Sequence, residues 1–254
     1  MPHTPTLPLA VFTALSWESA AVRAALRQVR REDTHMWRGM AGKQEVVVIT
    51  GGIGPRRTQQ VVERFLHTPF SALLSVGCAG ALQPDLRSGQ LVLAPDIRMF
   101  AADSESQLDC FPVHPDLLAQ AQSVARQASI PVAQGPLFTS RRALLSMEEK
   151  EQQGARTEAI AVEMESGVHA AFAQTRQLPF LALRVILDPV GMSLPAIKGL
   201  TTQEGDVRPL KALSYVVTQP RALPILLELR RVRALAAQTI TTLCRTLLPI
   251  LDIG

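Results

Sequence analysis

The chain predicts a three-layer α/β/α fold, in which helices cover both faces of a central mixed, mainly parallel sheet. Three observations carry that expectation. Short apolar runs alternate with helical patterns along most of the 254 residues. The runs lack in/out alternation, as strands buried on both faces do. Glycine- or acid-containing segments follow several of the runs, where an α/β sheet places its ligand. One domain spanning residues 1–254 is the economical description, with 189–254 as a loop and C-terminal helical extension.

Leu9–Leu15 reads as the first strand and Glu18–Arg30 as the helix after it. Glu45–Thr50 (EVVVIT) is the next strand, running into Gly51-Gly52-Ile53-Gly54-Pro55. Pro55 suits the first turn of a helix over Arg56–Leu66. Ala72–Val76 is a buried strand that the glycine turn Gly77-Cys78-Ala79-Gly80 is expected to close. Gly89–Ala94 follows as a strand, and Pro115–Ala128 as a helix with Leu117, Leu118, Ala121 and Val124 on its apolar stripe. Val132–Phe138 and Ala159–Val162 read as strands flanking a helix at Ala143–Gln153. Gly167–Thr175 is helical, and Phe180–Leu187 is the last clear strand. Pro189–Pro209 reads as a Pro/Gly-rich loop, and Leu210–Leu251 as a leucine-rich helical tail broken near Pro220 and Pro224.

Composition narrows the function classes. Apolar residues make up 47% and charged residues 19%, which excludes a disordered chain. The net charge of +4 is spread without Lys/Arg clusters interleaved with aromatics, so nucleic acid is not an expected partner. The three cysteines, Cys78, Cys110 and Cys244, show neither a disulfide framework nor zinc-site spacing. No metal or cofactor is expected, and a reducing cytoplasm is the simplest setting. No leader peptide and no membrane-spanning run are read in the chain.

The chemistry-bearing candidates are acids next to strands. Pro189 biases Asp188 toward extended backbone at the end of its strand, where Arg184, Ile186 and Asp188 share a face. A partly buried carboxyl there has a raised pKa and can act as a general acid. The alternative is an Asp that starts a turn or pairs with Arg184. Glu165 stands where a strand gives way to a helix, a place locally favourable to acids. Glu163, two residues earlier, makes that explanation insufficient for both, and a fixed Glu165 could accept the two cis hydroxyls of a ribose. Glu165 and His169 stand at i and i+4 and read as a helical contact. Glu18, near a helix start, could orient a water. The glycine turns expose N–H groups suited to an anion, with Arg56 and Arg57 beside the first. Neither turn matches a dinucleotide or triphosphate loop.

Together the segments ALSWES, VVVITGGIGPRRTQ, LLSVGCAGAL, SGQLVLAP, AIAVEMESGVHA and LALRVILDPV resemble the purine nucleoside phosphorylase/nucleosidase superfamily, in order and over nearly the whole chain. The resemblance implies that Asp188 protonates N7 of a purine as the glycosidic bond breaks. It implies that Glu165 binds the ribose 2′- and 3′-hydroxyls, with Met164 beneath the sugar and Glu163 in the same substrate-binding segment. Glu18 corresponds to a water-positioning glutamate. Cys78, Ala79 and Gly80 match the turn lining base and sugar, and Phe138 and Leu144 fall in the base-contacting loop, where TSRRAL replaces an acidic-aromatic pattern. Gly52, Gly54 and Arg56 would hold phosphate or water.

Within the superfamily, DPVGMSLPAIKGL and SYVVTQPRALPILLELRRVRALA resemble the hopanoid-associated phosphorylases. That implies removal of adenine from adenosylhopane, with Leu210–Leu235 lining an apolar channel or else packing as ordinary helix. Water and phosphate both stay open as nucleophile. Ser75 stands where many hexameric phosphorylases carry an arginine, which favours water; the likeness to phosphorylases favours phosphate as co-substrate. The implied partners are a small-molecule nucleoside, lipid-linked in the hopanoid case with peripheral membrane contact, and a second copy of the chain as a homo-oligomer. The alternatives are a methylthioadenosine/adenosylhomocysteine nucleosidase, a general purine nucleoside phosphorylase, and a non-catalytic nucleoside-binding protein.

Overall fold

A computed structural model describes residues 7–102, 104, 106–191 and 223–251. Twelve strands form one sheet. From one edge its order runs β2 (Arg27–Asp33), β3 (Met36–Ala41), β4 (Gln44–Thr50), β1 (Leu9–Thr13) and β5 (Leu73–Ala81). Past β5 it continues through β11 (Ala161–Glu163), β10 (Leu137–Thr139), β7 (Asp96–Phe100) and β8 (Leu108–Pro112). A branch leaves β5 through β12 (Phe180–Asp188) to β6 (Leu91–Leu93) and β9 (Val132–Gln134). Pairing is parallel for β1 with β4 and β5, and for β12 with β5. It is antiparallel for β11 with β5 and for β12 with β6, so the sheet is mixed.

β1 and β5 are buried along nearly their whole length and β4 over its last five residues, as their both-face-apolar sequences require. The described helices are α1 (Ser16–Arg23), α2 (Pro55–Glu63), α3 (Pro115–Gln127), α4 (Met147–Thr157), α5 (Ser166–Thr175) and α6 (Leu223–Leu247). α6 packs on α1, α3 and β12 through Val232, Ala236, Ile240, Leu243 and Leu247, the helical spacing of one core-facing stripe.

Several expected elements differ. The first helix ends at Arg23, because Arg27–Asp33 and Met36–Ala41 form an antiparallel pair at the sheet edge. Every residue of β2 is exposed, and its mostly charged sequence resembles a solvated helix. The glycine segment 77–80 is not a turn. It lies inside β5, paired along β12 and at its end to β11. Two-sided pairing overrides the local preference of glycine for turns. Val132–Phe138 is two strands in different parts of the sheet, separated at Gly135-Pro136, and the helix expected at Ala143–Gln153 begins at Met147.

The hairpin of β7 and β8 has no counterpart in the sequence reading. α6 begins at Leu223, with Pro224 in its first turn, where no N–H partner is needed, and Pro220 lies outside the described residues. The loop and tail expectations over 192–222, including half of the proposed channel, lie outside the described residues. Among the described residues no helix is long and apolar enough to cross a membrane.

Candidate active site

Four carboxylates from three parts of the chain meet in one cleft of about 170 Å³. Glu18, Glu163, Glu165 and Asp188 line it with Cys78, Ala79, Gly80, Met164 and Leu144. Larger depressions, of about 370 and 420 Å³, lie away from these acids and share none of their residues.

α1 carries Glu18 from the end of β1 back onto β5. Its Oε2 accepts the N–H groups of Ala14 and Leu15 at 3.0 and 2.9 Å, and Oε1 accepts that of Cys78 at 2.9 Å. Burial pushes its carboxyl up, opposed by Arg184 and those three donors. Gly77 makes room for it: a Cβ there would stand 2.8 Å from Glu18 Oε1. Gly80 does the same for Asp188, with a Cβ 3.0 Å from its Oδ2. The two glycines of the GCAG segment thus serve close approach of two carboxylates rather than chain reversal. Gly77→Ala should leave the fold intact and displace Glu18, lowering turnover roughly 10²-fold, the cost of an ångström-scale misplacement. Steady-state kinetics beside a melting curve check this, and full activity in Gly77→Ala would remove Glu18 from the chemistry.

Glu163 and Glu165 divide their tasks. Glu163 turns inward: Oε1 takes the Thr139 hydroxyl, and Oε2 takes the N–H groups of Glu165 and Ser166 at the start of α5 at 3.0 and 2.8 Å. It also pairs with Arg184 Nη2 at 2.8 Å. Arg184 in turn donates to the Ser75 carbonyl and hydroxyl, both at 2.7 Å. Since an arginine only donates, the Ser75 hydroxyl is free to donate to His169 Nδ1, 2.8 Å away. Burial, then the charge of Arg184, pushes His169 down to about 3, so this imidazole is neutral. The expected Glu165–His169 contact exists as a backbone bond, His169 N–H to Glu165 carbonyl.

Glu165 makes one hydrogen bond to another element, accepting the Gly54 N–H on Oε1 at 2.8 Å. Burial first, and the neighbouring Glu163 charge second, raise its carboxyl to about 8. Glu165 lines the cleft together with Met164.

Asp188 ends β12 beside a bulge: Ile186 pairs with Ala79 and Asp188 with Gly80, leaving Leu187 extra. A bulge re-aims the side chain that follows it. Asp188 therefore does not share partners with Arg184, contrary to the expected alternation, and the alternative in which the two pair is not what the structure has. Its partner is Lys150 of α4, whose Nζ lies 2.7 Å from Oδ2 and 3.2 Å from the Pro189 carbonyl. The lysine is 1% exposed. Burial raises the Asp188 carboxyl, and Lys150 opposes the rise.

Other expected residues stand elsewhere. Phe138 does not line the cleft; its ring packs edge-on against Phe100 in a neighbouring depression that shares Arg142 and Leu144 with the cleft. Gly52 sits against the Arg57 side chain at φ +80, Gly54 spends its N–H on Glu165, and Arg56 is exposed on α2. None of these three lines the cleft. Lys150 and Arg142 escaped the sequence reading. Lys150 lies in MEEKEQQ, a run typical of a solvated face; its only signal is a shared stripe with buried Gly154 and Thr157. Among the described residues no three metal-ligating side chains are placed to hold an ion.

A model of the phosphorylase superfamily matches residues 8–206. Solved structures share the fold at low identity. A 5′-methylthioadenosine/S-adenosylhomocysteine nucleosidase of Helicobacter pylori, in complex with a pyrrolidine inhibitor, is 17% identical with a TM-score of 0.73, covering 97% of this chain and 99% of that one. A putative methylthioadenosine nucleosidase of Weissella paramesenteroides is 19% identical with a TM-score of 0.69, covering 96% and 99%. A futalosine hydrolase of Helicobacter pylori is 21% identical with a TM-score of 0.62, covering 71% and 89%. Among curated proteins none matches the chain.

Proposed function

Since the chain belongs to the phosphorylase superfamily, we propose that it hydrolyses the N-glycosidic bond of a purine nucleoside, with adenine as base and a modified 5′ group. The single observation that carries this reading is the convergence of Glu18, Glu165 and Asp188 on one cleft from α1, the start of α5 and the end of β12.

Each acid has a distinct task in that reading. Cleavage builds positive charge on the sugar and negative charge on the departing base. Asp188, its carboxyl raised by burial, protonates the base as it leaves. Glu165 takes the ribose hydroxyls, fixing the sugar over Met164. Glu18, held by three backbone donors, orients the attacking water and accepts its proton.

Water is favoured over phosphate because the donors an anion needs are already engaged. Four carboxylates line the cleft, and the buried cations beside it, Arg184 and Lys150, are bonded to Glu163 and Asp188. Arg142 on the lining is paired with Glu149 at 2.6 Å. The Gly54 N–H, which an anion at the first glycine turn would need, is taken by Glu165. A phosphate dianion entering this cleft would find these donors already engaged. Methylthioadenosine should therefore release adenine in phosphate-free buffer at the rate seen with phosphate. An absolute phosphate requirement would end the hydrolytic reading.

The 5′ group defines the second reading. The likeness to hopanoid-associated enzymes, half of it in residues outside the described ones, supports adenosylhopane as substrate. Supplying methylthioadenosine, adenosylhomocysteine and a lipid-linked adenosine in parallel, and measuring free adenine, ranks the two. No adenine from any of them would leave the non-catalytic binding protein.

A further inference from the structure

A buried cation beside the cleft, bonded to one of its acids, has no task in the roles above. Lys150 is a buried lysine on a helix whose sequence is otherwise polar, and its ammonium reaches across 38 residues of chain separation to Asp188. A buried ammonium costs several kcal/mol of desolvation unless it is paired and hydrogen-bonded, so its position demands a purpose. The geometry is specific: Nζ lies 2.7 Å from Asp188 Oδ2 and 3.2 Å from the carbonyl of Pro189, the residue that follows. The lysine therefore grips both the acid and the backbone just beyond it. Gly80 closes the arrangement from β5, its missing side chain leaving space for the carboxyl group.

We propose that Lys150 is a positioning residue for the reaction, the counter-ion that orients Asp188 through Oδ2 and leaves Oδ1 for the departing base. This rests on the assignment of Asp188 as the acid. The step balances as follows. The Oδ1–H bond of Asp188 breaks and an N–H bond forms on the base. The C1′–N bond breaks with its electron pair passing to the base, while water adds to C1′ and gives its proton to Glu18. Asp188 is left as a carboxylate, in a buried site where an unpaired carboxylate is expensive. Lys150 holds that charge at the moment it forms, which makes Asp188 a stronger acid than burial alone would allow.

The sign of the pH effect follows from the groups around Asp188. Lys150 faces it from α4, and Cys78 and Gly80 from β5. Glu18 of α1, Glu163 of β11, Glu165 at the start of α5 and Arg142 line the same cleft, while Arg184 lies on Asp188's own strand. Burial raises the Asp188 carboxyl, and the charge and hydrogen bond of the lysine oppose that rise. With the ammonium removed, burial acts unopposed and the carboxyl titrates at higher pH. The alkaline limb of kcat/KM, which reports the acid that must be protonated in the free enzyme, moves up with it.

The test uses Lys150→Met and Lys150→Arg in the full-length protein. Methylthioadenosine hydrolysis is followed from pH 5 to 10, and carbon-13 NMR titration of labelled aspartate carboxyls is run on the same proteins. Lys150→Met should lose about 100-fold in kcat with KM changed less than about threefold, within the range a positioned acid contributes. Its alkaline limb and its Asp188 carboxyl titration should both move to higher pH, and Lys150→Arg should bring both back toward the parent. A fall in kcat with both midpoints unmoved would overturn the proposal, because a structural loss lowers the rate without re-tuning the acid. If the parent releases no adenine but the NMR midpoint still moves in Lys150→Met, the counter-ion stands and the functional reading fails.

Discussion

Asp188→Asn should slow adenine release by about 10²–10⁴-fold, the usual contribution of a positioned general acid. Asparagine keeps the shape and one acceptor oxygen for Lys150 Nζ, which lies 2.7 Å from the carboxylate in the parent. It cannot give a proton to the base. The loss should appear in kcat and in kcat/KM together, since protonation is an interaction of the transition state. Some stability is lost as well, because a buried ammonium would face a neutral amide. Single-turnover release of adenine, with circular dichroism to establish folding, separates the two effects. A folded Asp188→Asn protein with undiminished turnover would take Asp188 out of the acid role.

Arg184→Met is expected to give the largest loss of stability. The guanidinium is bonded to Glu163 and to both polar atoms of Ser75, and Glu163 closes the start of α5. Removing one partner of a buried pair leaves the other charge unpaired, at a cost of about 3–5 kcal/mol. In a chain of this size that corresponds to a fall of roughly 10 °C in Tm. Glu163 would lose its counter-ion, Ser75 a donor, and the segment that presents Glu165 its anchor. Activity should therefore fall through Glu165 as well. Adding Glu163→Gln to Arg184→Met should cost far less than the two single losses summed, since the orphaned charge is then gone. Thermal melts of the parent, both single variants and the double variant measure this. Additive losses would show that the pair is not the unit of stability proposed here.

The acids themselves were legible in the sequence because each follows from a local signal. Pro189 after an apolar run marks Asp188 as strand-terminal, and β12 does end there. The same reasoning located Glu165 at the junction into α5, where it is the N-cap. Elements with a strong period, such as α3 with its stripe of Leu117, Ala121 and Val124, were legible for the same reason. Weak signals failed in a consistent direction. β2 is charged and exposed, and its strand identity comes from pairing with β3 rather than from its own residues. Gly77 and Gly80 look like a turn by composition, yet partner strands hold them extended. Phe138 kept its expected place near Leu144 in the chain but points into a different depression, because packing against Phe100 decides the orientation of its ring.

By itself the sequence determined the strongly apolar strands, the periodic helices and which carboxylates stand at their ends, since these depend on neighbours within a few residues. Only the tertiary structure decided which cation meets which acid. Arg184 takes Glu163, 21 residues away, and Lys150 takes Asp188, 38 residues away, across different elements. A bulge at Leu187 sends Asp188 away from the arginine two turns of alternation would have offered it. Pairing of buried charges is a matter of geometry between elements, set by register and desolvation, and no periodicity in the chain encodes it.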